Sequence, residues 1–215
     1  MSAILYVGNR NYSSWSLRGS LIVRQSGIAC DEVVVPLDLP GTRERIAAVS
    51  PSGRVPVLHH HGRVVWDSLA IAELLHEERP EAGLWPRDAA QRALARSVSA
   101  EMHSSFMALR DAMPLDVRAE NKAVARTAEI EEDIARIVAI WSDCRRKPGA
   151  SGPYLFGTWS TADAMYAPVV SRFRTYGVEL TGAARDYADA VWAWPEVVSL
   201  AAEAAREPWS LDTGV

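Results

Sequence analysis

The chain has little cysteine. Its two thiols, Cys30 and Cys144, lie far apart and no CxxC pair occurs, so neither a dithiol redox centre nor a cysteine-ligated zinc site is suggested. Cys30 stands close to the apolar run Val33-Val34-Val35 and reads as a small buried hydrophobe. The chain also lacks any apolar stretch of the roughly 18 residues that a membrane-spanning helix requires. It lacks an excess of charge of either sign: 23 basic against 27 acidic residues leave a net charge of -4. That balance excludes a gross basic footprint for nucleic acid and the strongly charged, polar composition of a disordered chain. No basic segment precedes the first short apolar run, so a signal peptide is not expected and the predicted location is the cytoplasm. Repeats and low-complexity tracts are absent.

What remains is a 215-residue chain that is 48% apolar, enough for a sizeable core. Its texture changes near residue 80. Residues 1–80 carry 8 basic and 8 acidic groups, while residues 81–215 carry 15 and 19. The first part mixes short β-rich runs with helical segments. Residues 3–7 read as a buried strand, Ser13 to Ser26 as a helix stopped by Gly27, and Glu32 to Val35 as a strand. Thr42 to Val49 reads as a short helix or turn. Val55 to Leu58 and Arg63 to Val65 read as strands around the turn His61-Gly62, and Asp67 to Glu78 as an amphipathic helix. Pro56 inside a strand signal points to an edge, a bulge or a cis bond. The run His59-His60-His61 reads as a turn with exposed imidazoles; a metal there would need ligands from elsewhere in the chain, and none is predicted.

After Arg79-Pro80-Glu81-Ala82-Gly83-Leu84-Trp85-Pro86, a breaker-rich linker, the patterns are all helical. Leu94, Val98, Met102, Phe106, Leu109 and Met113 predict one long single-faced helix, and Thr127, Ile130, Ile134, Ile137 and Trp141 a second. Lys147 to Pro153 is a breaker-rich loop. Ser160 with Asp163 three residues later forms a capping-box pattern at the head of another helix, whose face continues through Met165, Val169, Phe173 and Tyr176. Tyr187 to Trp194 and Pro195 to Arg206 supply at least one more.

Four segments in this order resemble the cytosolic glutathione transferase family over nearly the whole chain. Ser13-Ser14-Trp15-Ser16-Leu17-Arg18 opens the first helix after the first strand. Ser50-Pro51-Ser52-Gly53-Arg54-Val55-Pro56-Val57-Leu58 resembles the family's segment with a cis-proline after valine. Trp66-Asp67-Ser68-Leu69-Ala70-Ile71 resembles its turn for the γ-glutamyl end of glutathione. Leu155 to Asp163 resembles its capping-box motif. The resemblance implies an α+β two-domain protein. Residues 1–80 would form a thioredoxin-like βαβαββα glutathione-binding domain, 81–88 a linker and 89–215 an all-helical domain. It also implies a homodimer, a detoxifying role, and glutathione as co-substrate with no metal. The serine-type zeta and theta classes are most similar, with zeta closest in the serine run, although Trp15 stands where zeta proteins have cysteine.

Only the thiolate of glutathione is a good nucleophile, and at an ordinary pKa near 8.5 only about 3% is ionised at pH 7. A hydroxyl donating to sulfur and the positive end of a helix both favour the anion. Lowering the pKa by roughly two units multiplies the thiolate at most ~30-fold; the remaining rate must come from positioning the electrophile. The resemblance assigns the hydroxyl to Ser13, with Ser14 as the substitute; Tyr6, inside the first strand, reads as a core or strand-end residue. Val55 would bind the cysteinyl backbone like an added strand beside cis Pro56. Asp67 and Ser68 would hold the γ-glutamyl ammonium and carboxylate, and Arg54 or Arg18 a glutathione carboxylate. His103, Met107 and Arg110 form a stripe beside the core face of the first long helix and are candidates for the electrophile site. The reading is a glutathione transferase attacking small apolar electrophiles, with no nucleic-acid or membrane partner. Its alternatives are a zeta-like glutathione-dependent isomerase of the maleylacetoacetate type and a non-catalytic glutathione- or ligand-binding protein.

Overall fold

The computed structural model describes residues 3–147 and 151–211. Of the predicted loop from Lys147 to Pro153, residues 148–150 lie outside the described residues. Strand β1 (Ala3–Val7) buries Ala3, Leu5 and Val7. Helix α1 (Ser14–Ser26) follows, capped by Ser13 and ended by Gly27 at φ 69°, where only glycine is free of penalty. Strand β2 (Cys30–Val34), helix α2 (Thr42–Ala47), strands β3 (Val57–His60) and β4 (Arg63–Val65) and helix α3 (Ser68–Glu78) complete a βαβαββα unit. The strand order is β2-β1-β3-β4, with β1 parallel to β2 and antiparallel to β3, and β3 antiparallel to β4. Helix α1 is the crossover that the parallel pair requires. This is the thioredoxin-like order expected from the sequence.

Three details differ from expectation. Val55 and Pro56 lie ahead of β3 rather than within it: their peptide is cis, and proline brings no donor to a ladder. Cys30 opens β2 instead of packing in the core. As part of an edge strand it is half-buried, and burial pushes its thiol up to about 11. The histidine run is divided between a strand and a turn. His59 and His60 belong to β3 with His60 buried, and only His61 stands exposed in the turn.

The helical part contains α4 (Ala89–Ser104), α5 (Met107–Ala112), α6 (Ala128–Arg145), α7 (Thr161–Thr175), α8 (Gly182–Trp192) and α9 (Pro195–Ala205). The helix predicted from Leu94 to Met113 is therefore two helices, broken where Phe106 adopts φ 62°. The apolar spacing misleads because the stripe survives the break: Val98, Met102, Phe106, Leu109 and Met113 are all buried. Asp133 of α6 supplies a cap that α5 lacks, accepting from the Leu109 amide at 3.0 Å. Among the described residues no helix is long and apolar enough to cross a membrane.

One core runs through both parts. Helix α7 packs against α1 and α4, and Trp141 of α6 meets the rings of Tyr166, Phe173 and Tyr187 at 6.0, 5.5 and 4.9 Å. Asp163, fully buried, accepts from the amides of Leu155 (3.0 Å) and Ser160 (2.8 Å) and from the Ser160 hydroxyl (3.0 Å). Burial pushes its carboxyl up to about 6 against the pull of those hydrogen bonds.

Candidate functional site

A cleft of about 480 Å³ lies where the sheet unit meets α4, within the usual size range for small-molecule sites. The segment before β3 contributes Ser52, Arg54, Val55 and Pro56, and the start of α3 contributes Trp66 and Asp67. Trp15 of α1 and His103 of α4 complete the lining.

Each wall follows from local structure. Val55 stands outside the ladder, so among the described residues its amide and carbonyl form no hydrogen bond. Pro56 rests on α1 at Gly19, where an added Cβ would fall 2.8 Å from the proline ring. Glycine inside a helix costs about 1 kcal/mol relative to alanine, and here it permits that approach. Asp67, which follows a second cis peptide after Trp66, caps α3. Its Oδ1 accepts from the Leu69 amide at 3.0 Å and its Oδ2 lies 3.0 Å from His103 Nε2, so α4 reaches across to the sheet unit. Ser68, the first residue of α3, is fully buried, and its hydroxyl has no partner among the described residues.

The two serines differ. The Ser13 hydroxyl accepts from the Ser16 amide at 3.2 Å and donates to Ser16 Oγ at 2.8 Å, and Ser16 Oγ accepts from the Gly8 amide at 2.8 Å. The Ser14 hydroxyl forms no hydrogen bond among the described residues. Neither serine lines the cleft; Trp15, next in the chain, does.

Behind Trp15 lies a group of cations. The Arg18 and Arg110 guanidinium carbons stand 4.7 and 4.8 Å from its ring centroid, and the His103 ring meets it edge-on at 4.9 Å. Arg18 and Arg172 are buried. Arg18 Nε donates to the Met165 carbonyl at 3.0 Å and Arg172 Nε to the Met113 carbonyl at 2.7 Å. Both Nη atoms of Arg18 and Nη1 of Arg172 have no partner among the described residues. Burial, then the charges of Arg172 and Arg110, holds Arg18 well below its ordinary value. Burial and then Arg110 lower Arg172 to about 10. Buried guanidinium groups are ordinarily paired with an anion.

The structure thus brings Val55, Pro56, Arg54, Asp67 and His103 to one cleft, with Ser68 one residue beyond Asp67. It places Arg18 behind Trp15 rather than in the lining, because its side chain is anchored to α7. Arg110 reaches Trp15 and donates to the His103 carbonyl at 3.3 Å, while Met107 is 53% exposed and outside the lining. Tyr6 stays in β1 and packs against His59 at 5.0 Å. Trp15, Ser52, Trp66 and Gly19 were not among the residues expected from the sequence. A glycine inside a strong helix pattern was the available signal for the last, and position within the serine run for the first.

Two family models match: glutathione S-transferase N-terminal domain over residues 12–78 and glutathione S-transferase C-terminal domain over residues 122–195. Rat maleylacetoacetate isomerase is 29% identical over 185 residues, covering 83% of this chain and 81% of its own. A probable maleylacetoacetate isomerase of Caenorhabditis elegans is 28% identical over 120 residues, of which this chain spans 55% of the relative's length. Among solved structures, the holo form of maleyl pyruvate isomerase, a bacterial zeta-class glutathione S-transferase, superposes with a TM-score of 0.73 at 25% identity. It covers 97% of this chain and all of its own. A Burkholderia glutathione transferase homologue with bound glutathione gives a TM-score of 0.71 at 24% identity, covering 95% and 98% of the two chains.

Proposed function

The chain belongs to the glutathione S-transferase family and is a glutathione-dependent enzyme; from that premise we propose that it binds glutathione in the Val55–Asp67 cleft and activates its thiol with a serine hydroxyl at the head of α1. The observation that carries this reading is the open backbone of Val55. Among the described residues the amide and carbonyl of Val55 form no hydrogen bond, and Val55 lines the cleft beside Pro56, which suits an extended peptide docking as an added strand. Asp67 would take the γ-glutamyl ammonium through Oδ2, sharing it with His103. The Ser68 hydroxyl and the free amides of the first turn of α3 would take the carboxylate. Arg54 would meet the other end of glutathione. Ser13 retains the role of thiol donor by resemblance, and Ser14, whose hydroxyl has no hydrogen-bond partner among the described residues, is its substitute. The division at residues 81–88, a homodimeric assembly and a cytoplasmic setting complete the proposal.

The acceptor admits two readings. A small apolar electrophile attacked by the thiolate is the first. The second is a zeta-like isomerisation, in which the thiolate adds to a carbon–carbon double bond and is expelled again after rotation. The cations around Trp15 favour an acceptor that carries carboxylate, as the relatives' names suggest for them.

The test is a titration of bound glutathione from about pH 5 to 9 by thiolate ultraviolet absorbance, in the wild type and in Ser13→Ala and Ser14→Ala. A depressed thiol pKa that returns toward the free value in one variant alone supports the mechanism and names the serine. Tight binding with an ordinary thiol pKa in the wild type sinks thiol activation and leaves a ligand-binding protein.

A further inference from the structure

We propose that His60, His61 and Glu78 bind one divalent transition-metal ion at the far end of β3 and α3, away from the glutathione cleft. The two imidazoles and the carboxylate offer ligand atoms that all lie within 4.8 Å of one another. Such an ion holds imidazole nitrogen at about 2.0–2.1 Å and carboxylate oxygen at about 2.0–2.2 Å, so modest side-chain movement would bring the three donors onto it.

The fold builds this grouping from separate parts. Residues 60 and 61 would point to opposite faces of a continuing strand. The chain turns at His61 (φ 50°) and Gly62 (φ 75°), and this carries the His61 ring back to 4.0 Å from that of His60. Glu78 comes from the last turn of α3, eighteen residues along the chain from His60. Its Oε2 lies 2.9 Å from His60 Nε2, and its Oε1 is held by Arg63. In the metal-free protein Nε2 donates to that carboxylate. On binding, the imidazole proton would sit on Nδ1, which has no partner among the described residues, and Nε2 would ligate the ion beside Glu78 Oε2.

The donor set selects the ion. Two nitrogens and one oxygen suit zinc, nickel or copper, whereas magnesium and calcium prefer oxygen alone. Three protein ligands leave a coordination position for water. Arg63 on Oε1 would keep the carboxylate oriented while Oε2 turns to the ion. The eleven residues of α3 separate this place from the Asp67 cap by about 16 Å, so the inference is independent of which serine activates glutathione.

Calorimetric titration of the metal-stripped full-length protein with zinc, nickel and copper ions tests the assignment. The expected result is one equivalent bound, with affinity reduced at least about tenfold in His61→Ala and in Glu78→Gln. Both substitutions lie at exposed or half-exposed positions, and unchanged glutathione affinity would show that the fold is intact. Binding in the wild type weaker than about 1 mM overturns the proposal. So does stoichiometric binding that survives both substitutions, which would place the ion on other side chains.

Discussion

A buried arginine with no ion pair among the described residues runs against the rule that buried charges are paired. Arg18 and Arg172 are buried, with Nη groups lacking partners among the described residues, and half-buried Arg110 shares the Trp15 ring as a neighbour with Arg18. Desolvation lowers the pKa of Arg110 as well, and both Arg18 and Arg110 stand against Trp15, which lines the cleft. A carboxylate on the acceptor would recover part of that electrostatic cost. Arg110→Leu is therefore expected to lower kcat/KM for an acceptor carrying a carboxylate by about tenfold or more, equivalent to about 1.4 kcal/mol. An uncharged aryl halide should lose much less. Equal loss for both acceptors would remove the carboxylate reading. The same residues show what sequence can and cannot say at this scale. The placement of Val55, Pro56 and Asp67 at the cleft was legible because it follows from backbone: a proline that donates nothing and a carboxylate that caps. Arg18, the choice between Ser13 and Ser14, and the meeting of His60 with Glu78 were not, since each depends on where a flexible side chain points in three dimensions.

Elements position the site through close approaches. Gly19 lets α1 lie against Pro56, and a methyl group there would stand 2.8 Å from the proline ring. Gly19→Ala gains helix propensity of about 1 kcal/mol yet must displace Pro56, and with it the open backbone of Val55. The expected outcome is a several-fold weaker glutathione affinity by calorimetry with little loss of thermal stability. Unchanged affinity would mean that the segment before β3 yields freely. The break between α4 and α5 makes the complementary point. Apolar spacing read Leu94 to Met113 as one helix, because a stripe records which side chains are buried and not whether the backbone between them continues. What restarts the helix is Asp133 on a distant element, beyond the reach of local pattern. Asp133→Ala should cost about 1 kcal/mol, as loss of a cap does, measured by urea unfolding. A change within error would show that water caps α5 equally well.

At the scale of the whole molecule, two carboxyls, one buried and one half-buried, tie distant segments together and respond to acid in opposite directions. Glu32 of β2 receives Arg10 and Arg24, and both arginines continue to Glu203 of α9. Burial opposes its ionisation, but the hydrogen bonds and charges of Arg10 and Arg24 outweigh burial and hold its carboxyl below the ordinary value. Its contribution is present above the unfolded pKa and is lost as pH falls through the folded one. Asp163 is the reverse. With its carboxyl pushed from 3.8 to about 6 by burial, the folded state binds a proton that the unfolded chain releases earlier. Its stabilising share is full below the unfolded pKa and is lost as pH rises through about 6. The shift corresponds to about 3 kcal/mol. Urea unfolding of the wild type and Asp163→Asn between about pH 4 and 7 should therefore give a stability difference that narrows by up to that amount as pH rises. The difference between wild type and Glu32→Gln should stay level from about pH 7 down to about 5 and shrink as pH falls below the unfolded glutamate value of 4.5. A level difference for Asp163→Asn would show that the three hydrogen bonds from Leu155 and Ser160 outweigh burial, with the carboxyl already ionised throughout.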